Sequence, residues 1–155
     1  MESKFANNRN ILIAVDESEN AARSVSYVTG LLAGLPGVHV KLITIIAEPS
    51  EDYFMSEGER TAWIEDKKAS ARSLLEGYRK ILVAGGFRDE DVETHAAMKA
   101  CTSIGECILH EQQRLDCATV VIGRRGISKK EEFIFGSTSN KILHAAKDCA
   151  VWVIE

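Results

Sequence analysis

Between residues 123 and 139 the chain reads Gly-Arg-Arg-Gly-Ile-Ser-Lys-Lys-Glu-Glu-Phe-Ile-Phe-Gly-Ser-Thr-Ser. Its skeleton is Gly123-x2-Gly126-x9-Gly136-Ser137-Thr138, with Ser139 following. Glycines let a backbone come close to a ligand and adopt positive φ. A helix that opens at Ser137 turns its first N–H groups outward, and its dipole adds partial positive charge. Together these make a phosphate site. The hydroxyls of Ser137, Thr138 and Ser139 can donate to phosphate oxygens or cap the helix. Arg124 and Arg125 add guanidinium forks suited to phosphate, one of them expected to be merely solvated. From average usage, three glycines and one hydroxyl at fixed places arise by chance about once in 20,000 starts. The competing reading is an ordinary strand-to-helix loop with a serine cap.

A second position for chemistry is Asp16, which ends the apolar run Ile11-Leu12-Ile13-Ala14-Val15. A carboxylate beside a triphosphate is repelled unless it meets an adenine amino group, a ribose hydroxyl or a metal. It can also simply cap the next helix. The histidines His39, His95, His110 and His144 share no metal-ligand spacing, and Cys107-x-x-His110 offers two ligands where a zinc site needs more. Lys129-Lys130-Glu131-Glu132 reads as an exposed loop face, and Phe133 and Phe135 as residues that pack that loop down.

The elements that must position these groups alternate along the chain. The short apolar run at Asn10–Val15 suits a strand buried on both faces, and Val38–Ile46, Val92–Met98, Thr119–Ile122 and Ala150–Ile154 read as further strands. Helical spacing marks Glu19–Leu35 behind a Ser18 cap, Glu59–Ala84 before Gly85-Gly86, a helix opened by Ser103-x-x-Glu106 and running to Arg114, and Ser137–Lys147. Pro36-Gly37 is read as the break after the first helix. This order predicts an α/β fold: an open five-stranded parallel sheet with helices on both faces, Rossmann-like, and one domain over 1–155. Ligands of such sheets sit at the carboxyl ends of the strands where strand order reverses. The loops after Val15 and Ile122 are therefore the places to look.

The composition narrows the function classes. Nineteen Lys and Arg against twenty-three Asp and Glu leave a net charge of −4, which argues against a general nucleic-acid binder. No apolar run approaches the length of a membrane span. Met1–Asn10 is polar and lacks the apolar core of a signal peptide. The four cysteines, Cys101, Cys107, Cys117 and Cys149, form no C-x-x-C pair. They could pair, but nothing points to secretion, so a reduced cytoplasm is the expected compartment.

Over almost its whole length the chain resembles the universal stress protein family. The resemblance lies in Val15-Asp16-Glu17-Ser18, in the helix start Ser103–Leu109, and in Gly123–Ser139, whose glycine pattern is that of the family's ATP-binding members. It implies a five-stranded parallel sheet, bound ATP (or ADP or AMP, with magnesium held by the phosphates) and a homodimer through the last strand, 150–154. It implies a nucleotide site at Val15 and Asp16, with Ile45 of the second strand flanking the adenine. Ile122, Gly123, Arg125, Gly126, Gly136, Ser137, Thr138 and Ser139 would wrap ribose and phosphates. Trp152 would lie at the dimer interface. The chain departs from the family pattern at Thr102-Ser103-Ile104, where Gly-Asp-Pro is common, and at Cys149-Ala150, where Cys-Pro is common.

The resulting expectation is a cytoplasmic ATP-binding stress-response module acting on regulatory protein partners, with no catalytic residue. Hydrolysis is disfavoured because no Walker lysine, kinase catalytic loop or G-x-S-x-G occurs. The alternatives are a slow ATP hydrolase and a nucleotide-independent interaction protein of the same fold.

Overall fold

A computed structural model describes residues 7–124 and 137–155. In chain order the strands are β1 (Asn10–Ala14), β2 (His39–Ala47), β3 (Val92–Lys99), β4 (Thr119–Gly123) and β5 (Ala150–Ile154). The helices are α1 (Glu19–Leu32), α2 (Glu57–Ala84), α3 (Ile104–Arg114) and α4 (Ser137–Ala145). Single 3-10 turns occupy Glu51–Tyr53 and Asp89–Asp91. The five strands form one parallel sheet in the order β3-β2-β1-β4-β5.

β1 is central, so both its faces are covered. Ile11 and Ile13 join a core with Val25 and Val28 of α1 and Leu75, Tyr78 and Leu82 of α2. Leu12 joins the opposite core with Ile108 and Leu109 of α3 and Ile142 of α4. Strand side chains alternate between faces, which is why a doubly covered strand is apolar at every position. The chain runs outward from β1 to β2 and β3, then returns to β4 on the other side of β1. Right-handed crossovers put helices on opposite faces when the direction reverses. Hence α1 and α2 share one face, α3 and α4 the other.

Several boundaries differ from the periodicity reading. α1 stops at Leu32, three residues early, because Gly34 takes φ 84° and Ala33 N–H closes onto the Thr29 carbonyl. Pro36-Gly37 is a second break and not the first. α2 begins two residues early, at Glu57, because Ser56 caps it by accepting from Glu59 N at 3.1 Å. Its buried stripe is Ala71, Leu75, Tyr78 and Leu82. The first half of α2 is largely exposed. α4 ends at Ala145 and not at Lys147.

The cysteines also differ from the reduced reading. Cys101 and Cys107 are joined as a disulfide with Cα atoms 5.8 Å apart, and Cys117 and Cys149 are free. A spacing of six within one helix would separate the side chains, so sequence offered no signal. The pair meets because Cys101 lies in the β3–α3 connection and only Cys107 is helical.

Candidate functional site

The reversal of strand order falls between β1 and β4, and their carboxyl ends are Ala14 and Gly123. The β1 ladder continues one residue further, with Val15 N donating to the Ile43 carbonyl at 2.8 Å. The chain then turns sharply into α1. Asp16 Oδ1 accepts from Ser18 N at 2.9 Å, and Ser18 Oγ caps α1 by accepting from Ala21 N at 3.2 Å. From below, the Tyr78 hydroxyl on α2 donates to the Asp16 carbonyl at 2.9 Å. Burial raises the Tyr78 phenol above its ordinary pKa, and the negative charges of Asp16 and Glu17 add to that. The phenol is therefore a settled donor. The cap of α1 is therefore Ser18 and not Asp16, which organises the turn before it and also lines the cavity.

That cavity has a volume of about 120 Å³. One wall is the strand tops, Ala14, Val15, Ile43, Thr44, Ile45 and Ile122. The other is Ile104 and Ile108, one turn apart on α3. Its polar rim holds Asp16, Ser18 and Thr138, and Gly123 forms part of the floor. An apolar slot with a few convergent polar groups is the usual form of a small-molecule site. Asp16, when ionised, is acceptor-only and matches an amino group or a sugar hydroxyl. The N-terminal residues of α4 adjoin it at Thr138, where the dipole favours negative charge.

Larger grooves exist elsewhere. One of about 580 Å³ runs along α2 past Ser70, Gly77 and Ile81. Another, about 360 Å³, lies between Trp63, Lys67 and Asp16 and shares Asp16, Thr44 and Ile45 with the smaller cavity. Volume favours the α2 groove. Chemistry favours the strand-end cavity, which alone of these combines the switch point, apolar walls and a helix N-terminus.

Of the residues singled out from sequence, Val15, Asp16, Ile45, Ile122, Gly123 and Thr138 come together around this cavity. Ser137 is exposed at the first position of α4, and Ser139 is buried at 2% exposure without lining the cavity. Arg125, Gly126 and Gly136 lie outside the described residues. Arg124 is drawn to β5: its N–H donates to the Ile154 carbonyl at 2.7 Å and its guanidinium meets Glu155 at 2.8 Å.

Gly123 has a reason beyond a ligand. A Cβ there would lie 2.6 Å from the Asn20 carbonyl carbon and oxygen and 2.8 Å from Asn20 Cβ. The first turn of α1 passes directly over it. Gly105 does the same between helices, where a Cβ would meet Lys141 side-chain carbons at 3.1 Å and the Thr138 carbonyl at 3.3 Å. That close approach brings Thr138 to the cavity. It is reinforced by the Glu106–Lys141 pair at 3.0 Å, which holds the Glu106 carboxyl below its usual range.

As lining residues, sequence reasoning missed Ala14, Ser18, Ala21, Ile43, Thr44, Ile104 and Ile108. The available signal was Ile104 and Ile108, an i,i+4 apolar pair opening the helix that follows a strand end. Among the described residues, no cluster of three or more His, Cys, Asp or Glu is placed to hold a metal, and no helix is long and apolar enough to cross a membrane.

Comparison with known proteins agrees with this geometry. The model of the universal stress protein family matches residues 7–155. The chain belongs to the universal stress protein family. A putative universal stress protein of Staphylococcus aureus (strain USA300) is 30% identical over 147 residues, covering 94% of this chain and 83% of its own length. Among solved structures, a universal stress protein from Archaeoglobus fulgidus in complex with dAMP aligns with TM-score 0.63 at 21% identity, over 96% of this chain and 99% of that one. A universal stress protein in complex with cAMP aligns with TM-score 0.71 at 15% identity, over 97% and 99%. The family resemblance and the five-stranded parallel fold expected from sequence are thereby shown. The departures of this universal stress protein at Thr102-Ser103 leave the helix start intact, since Ser103 Oγ caps α3 by accepting from Glu106 N at 3.2 Å.

Proposed function

We propose that this universal stress protein binds an adenine nucleotide, ATP, in the strand-end cavity and acts as a regulatory module without turnover. The observation that carries the reading is the convergence of Asp16, the Ile104–Ile108 wall and Thr138 at the point where strand order reverses. The slot between the strand tops and α3 suits a flat apolar base, with Asp16 accepting from an amino group or a ribose hydroxyl. The phosphates would extend toward the first turn of α4 at Thr138, with magnesium held by the phosphates. The nucleotide complexes of the two fold neighbours support an adenine ligand. The Gly-x2-Gly-x9-Gly-Ser-Thr skeleton supports a phosphate-bearing ligand. Three or four charge-assisted bonds of about 1.5–3 kcal/mol each, less ordering costs of several kcal/mol, are compatible with micromolar affinity.

The same reading makes the protein a cytoplasmic homodimer through β5. β5 is the outer strand of the sheet, paired only with β4 among the described strands, and Val151, Trp152, Val153 and Ile154 on it are each half-buried. An apolar edge strand invites pairing with a second copy. Partners would be regulatory proteins, not nucleic acid or membrane.

The test is extraction of nucleotide from the purified protein, identified by chromatography and mass, with Asp16→Ala in parallel. Stoichiometric ATP in the wild type and loss in the variant are expected. A protein that is empty and also fails to bind added ATP with magnesium overturns the reading and leaves a nucleotide-independent interaction module.

A further inference from the structure

We propose that Cys101 and Cys107 form a reversible thiol–disulfide pair, oxidised by a hydroperoxide, that clamps one wall of the strand-end cavity. The bond closes a short ring over Thr102, Ser103, Ile104, Gly105 and Glu106. Three of these build the site. Ser103 is the α3 cap, Ile104 is cavity wall, and Gly105 is the contact that seats α4 at Thr138. No other covalent link bears on the cavity among the described residues.

The two sulfurs are unequal in the way a reactive pair requires. Cys101 is exposed in the β3–α3 connection, and Cys107 is 1% exposed in the first turns of α3. Exposure makes Cys101 the sulfur a peroxide can reach, and Cys107, buried beside it, the sulfur that closes the bridge. The remaining thiols are poor competitors. Burial pushes Cys117 up to about 11 and raises Cys149 as well, so neither is thiolate near neutrality.

The chemistry balances in two steps. The Cys101 thiolate attacks one peroxide oxygen. An S–O bond forms, the O–O bond breaks, and the leaving alkoxide (hydroxide for hydrogen peroxide) takes a proton to depart as alcohol or water. The Cys107 sulfur then attacks the Cys101 sulfenic acid. The S–S bond forms, the S–O bond breaks, and hydroxide leaves with the Cys107 proton as water. Two thiols lose two electrons and the peroxide gains them. A dithiol reverses the bond by exchange.

The effect on ligand rests on the nucleotide reading above. A ligand entering the cavity packs against Ile104 in the bridged segment, and the bridge restrains that wall beforehand, the general route by which preorganisation tightens binding. The oxidised protein is expected to bind ATP about 3- to 10-fold more tightly than the reduced protein, since one tenfold step is about the free energy of ordering one or two side chains.

The experiment uses the full chain, reduced with a dithiol and then exposed to hydrogen peroxide. Free thiols are alkylated and peptides are read by mass. A Cys101–Cys107 linkage with Cys117 and Cys149 unbridged is expected, together with slower amide exchange over 102–107. ATP affinity is measured in both states and in Cys101→Ser, an exposed position whose substitution spares the core. That variant is expected to be indifferent to peroxide. Continued alkylation of Cys101 and Cys107 after peroxide overturns the proposal. So does a bridged protein with the affinity and amide exchange of the reduced one. If neither state binds ATP, the nucleotide reading has failed, and the linkage and the exchange over 102–107 still decide the clamp.

Discussion

Replacing Gly123 by alanine separates two reasons for a glycine at the end of β4. If the glycine serves only a ligand, the nucleotide-free protein loses nothing. The structure says otherwise. The new Cβ would sit 2.6 Å from two backbone atoms of Asn20 and 2.8 Å from its Cβ. Ordinary heavy-atom contact is about 3.5–4.0 Å, so about 1 Å of movement is required. Backbone atoms cannot swing aside as a side-chain end can, so the first turn of α1 must move as a body. Forced overpacking of this kind costs about 1–3 kcal/mol. At about 2–4 °C per kcal/mol for a chain of this size, the melting temperature should fall by roughly 4–8 °C for a mid-range cost. Ser18 and Ala21 line the cavity at that same helix start, with Asp16 just before it, so ATP affinity should fall too, about tenfold per 1.4 kcal/mol passed to the site. The assay is thermal unfolding of protein stripped of nucleotide, followed by titration with ATP. A nucleotide-free Gly123→Ala protein that melts with the wild type refutes the packing argument and returns Gly123 to the ligand alone.

Two further outcomes follow from neighbouring contacts. Tyr78→Phe removes the 2.9 Å donor to the Asp16 carbonyl while keeping the ring in the α1–α2 core, and should lower stability in urea by about 0.5–1.5 kcal/mol; an unchanged midpoint would mean water replaces the hydroxyl without cost. Glu111 is fully buried between Lys99 and Arg114, whose Nε donates to it at 2.7 Å. Burial alone would raise its carboxyl, but the hydrogen bonds and charges of Arg114 and Lys99 outweigh it and hold the carboxyl below its ordinary 4.5. A depressed folded pKa contributes stability that is present above the unfolded value and lost as pH falls through the folded one. The stability gap between wild type and Glu111→Gln, followed by urea unfolding, should therefore be full at pH values above 4.5 and shrink in stronger acid. A gap independent of pH would show that Glu111 packs there without its charge mattering.

Much of this protein was legible from local pattern. The central strand β1 has neighbours on both sides and helices over both faces, so its apolar run Ile11–Val15 declared itself. The caps Ser18 and Ser103 were legible because a hydroxyl three residues before a helical N–H is a purely local device. So was the family resemblance, which lives in spacing along the chain. Helix ends were less so. Gly34 ended α1 before Pro36 could, since positive φ at Gly34 is a choice the whole chain makes.

What tertiary structure decided is who meets whom. Ile104 and Ile108 face Val15 and Ile45 only because the chain crosses from β3 over β2 and β1 to reach β4. Cys101 finds Cys107 only because a strand exit folds back on the next helix. Gly123 carries two demands, one from a strand-end cavity and one from Asn20, a hundred residues away in the chain. Sequence spacing records the demands of neighbours along the backbone. Contacts across the sheet depend on strand order, and strand order is set by how all the elements bury their apolar faces at once.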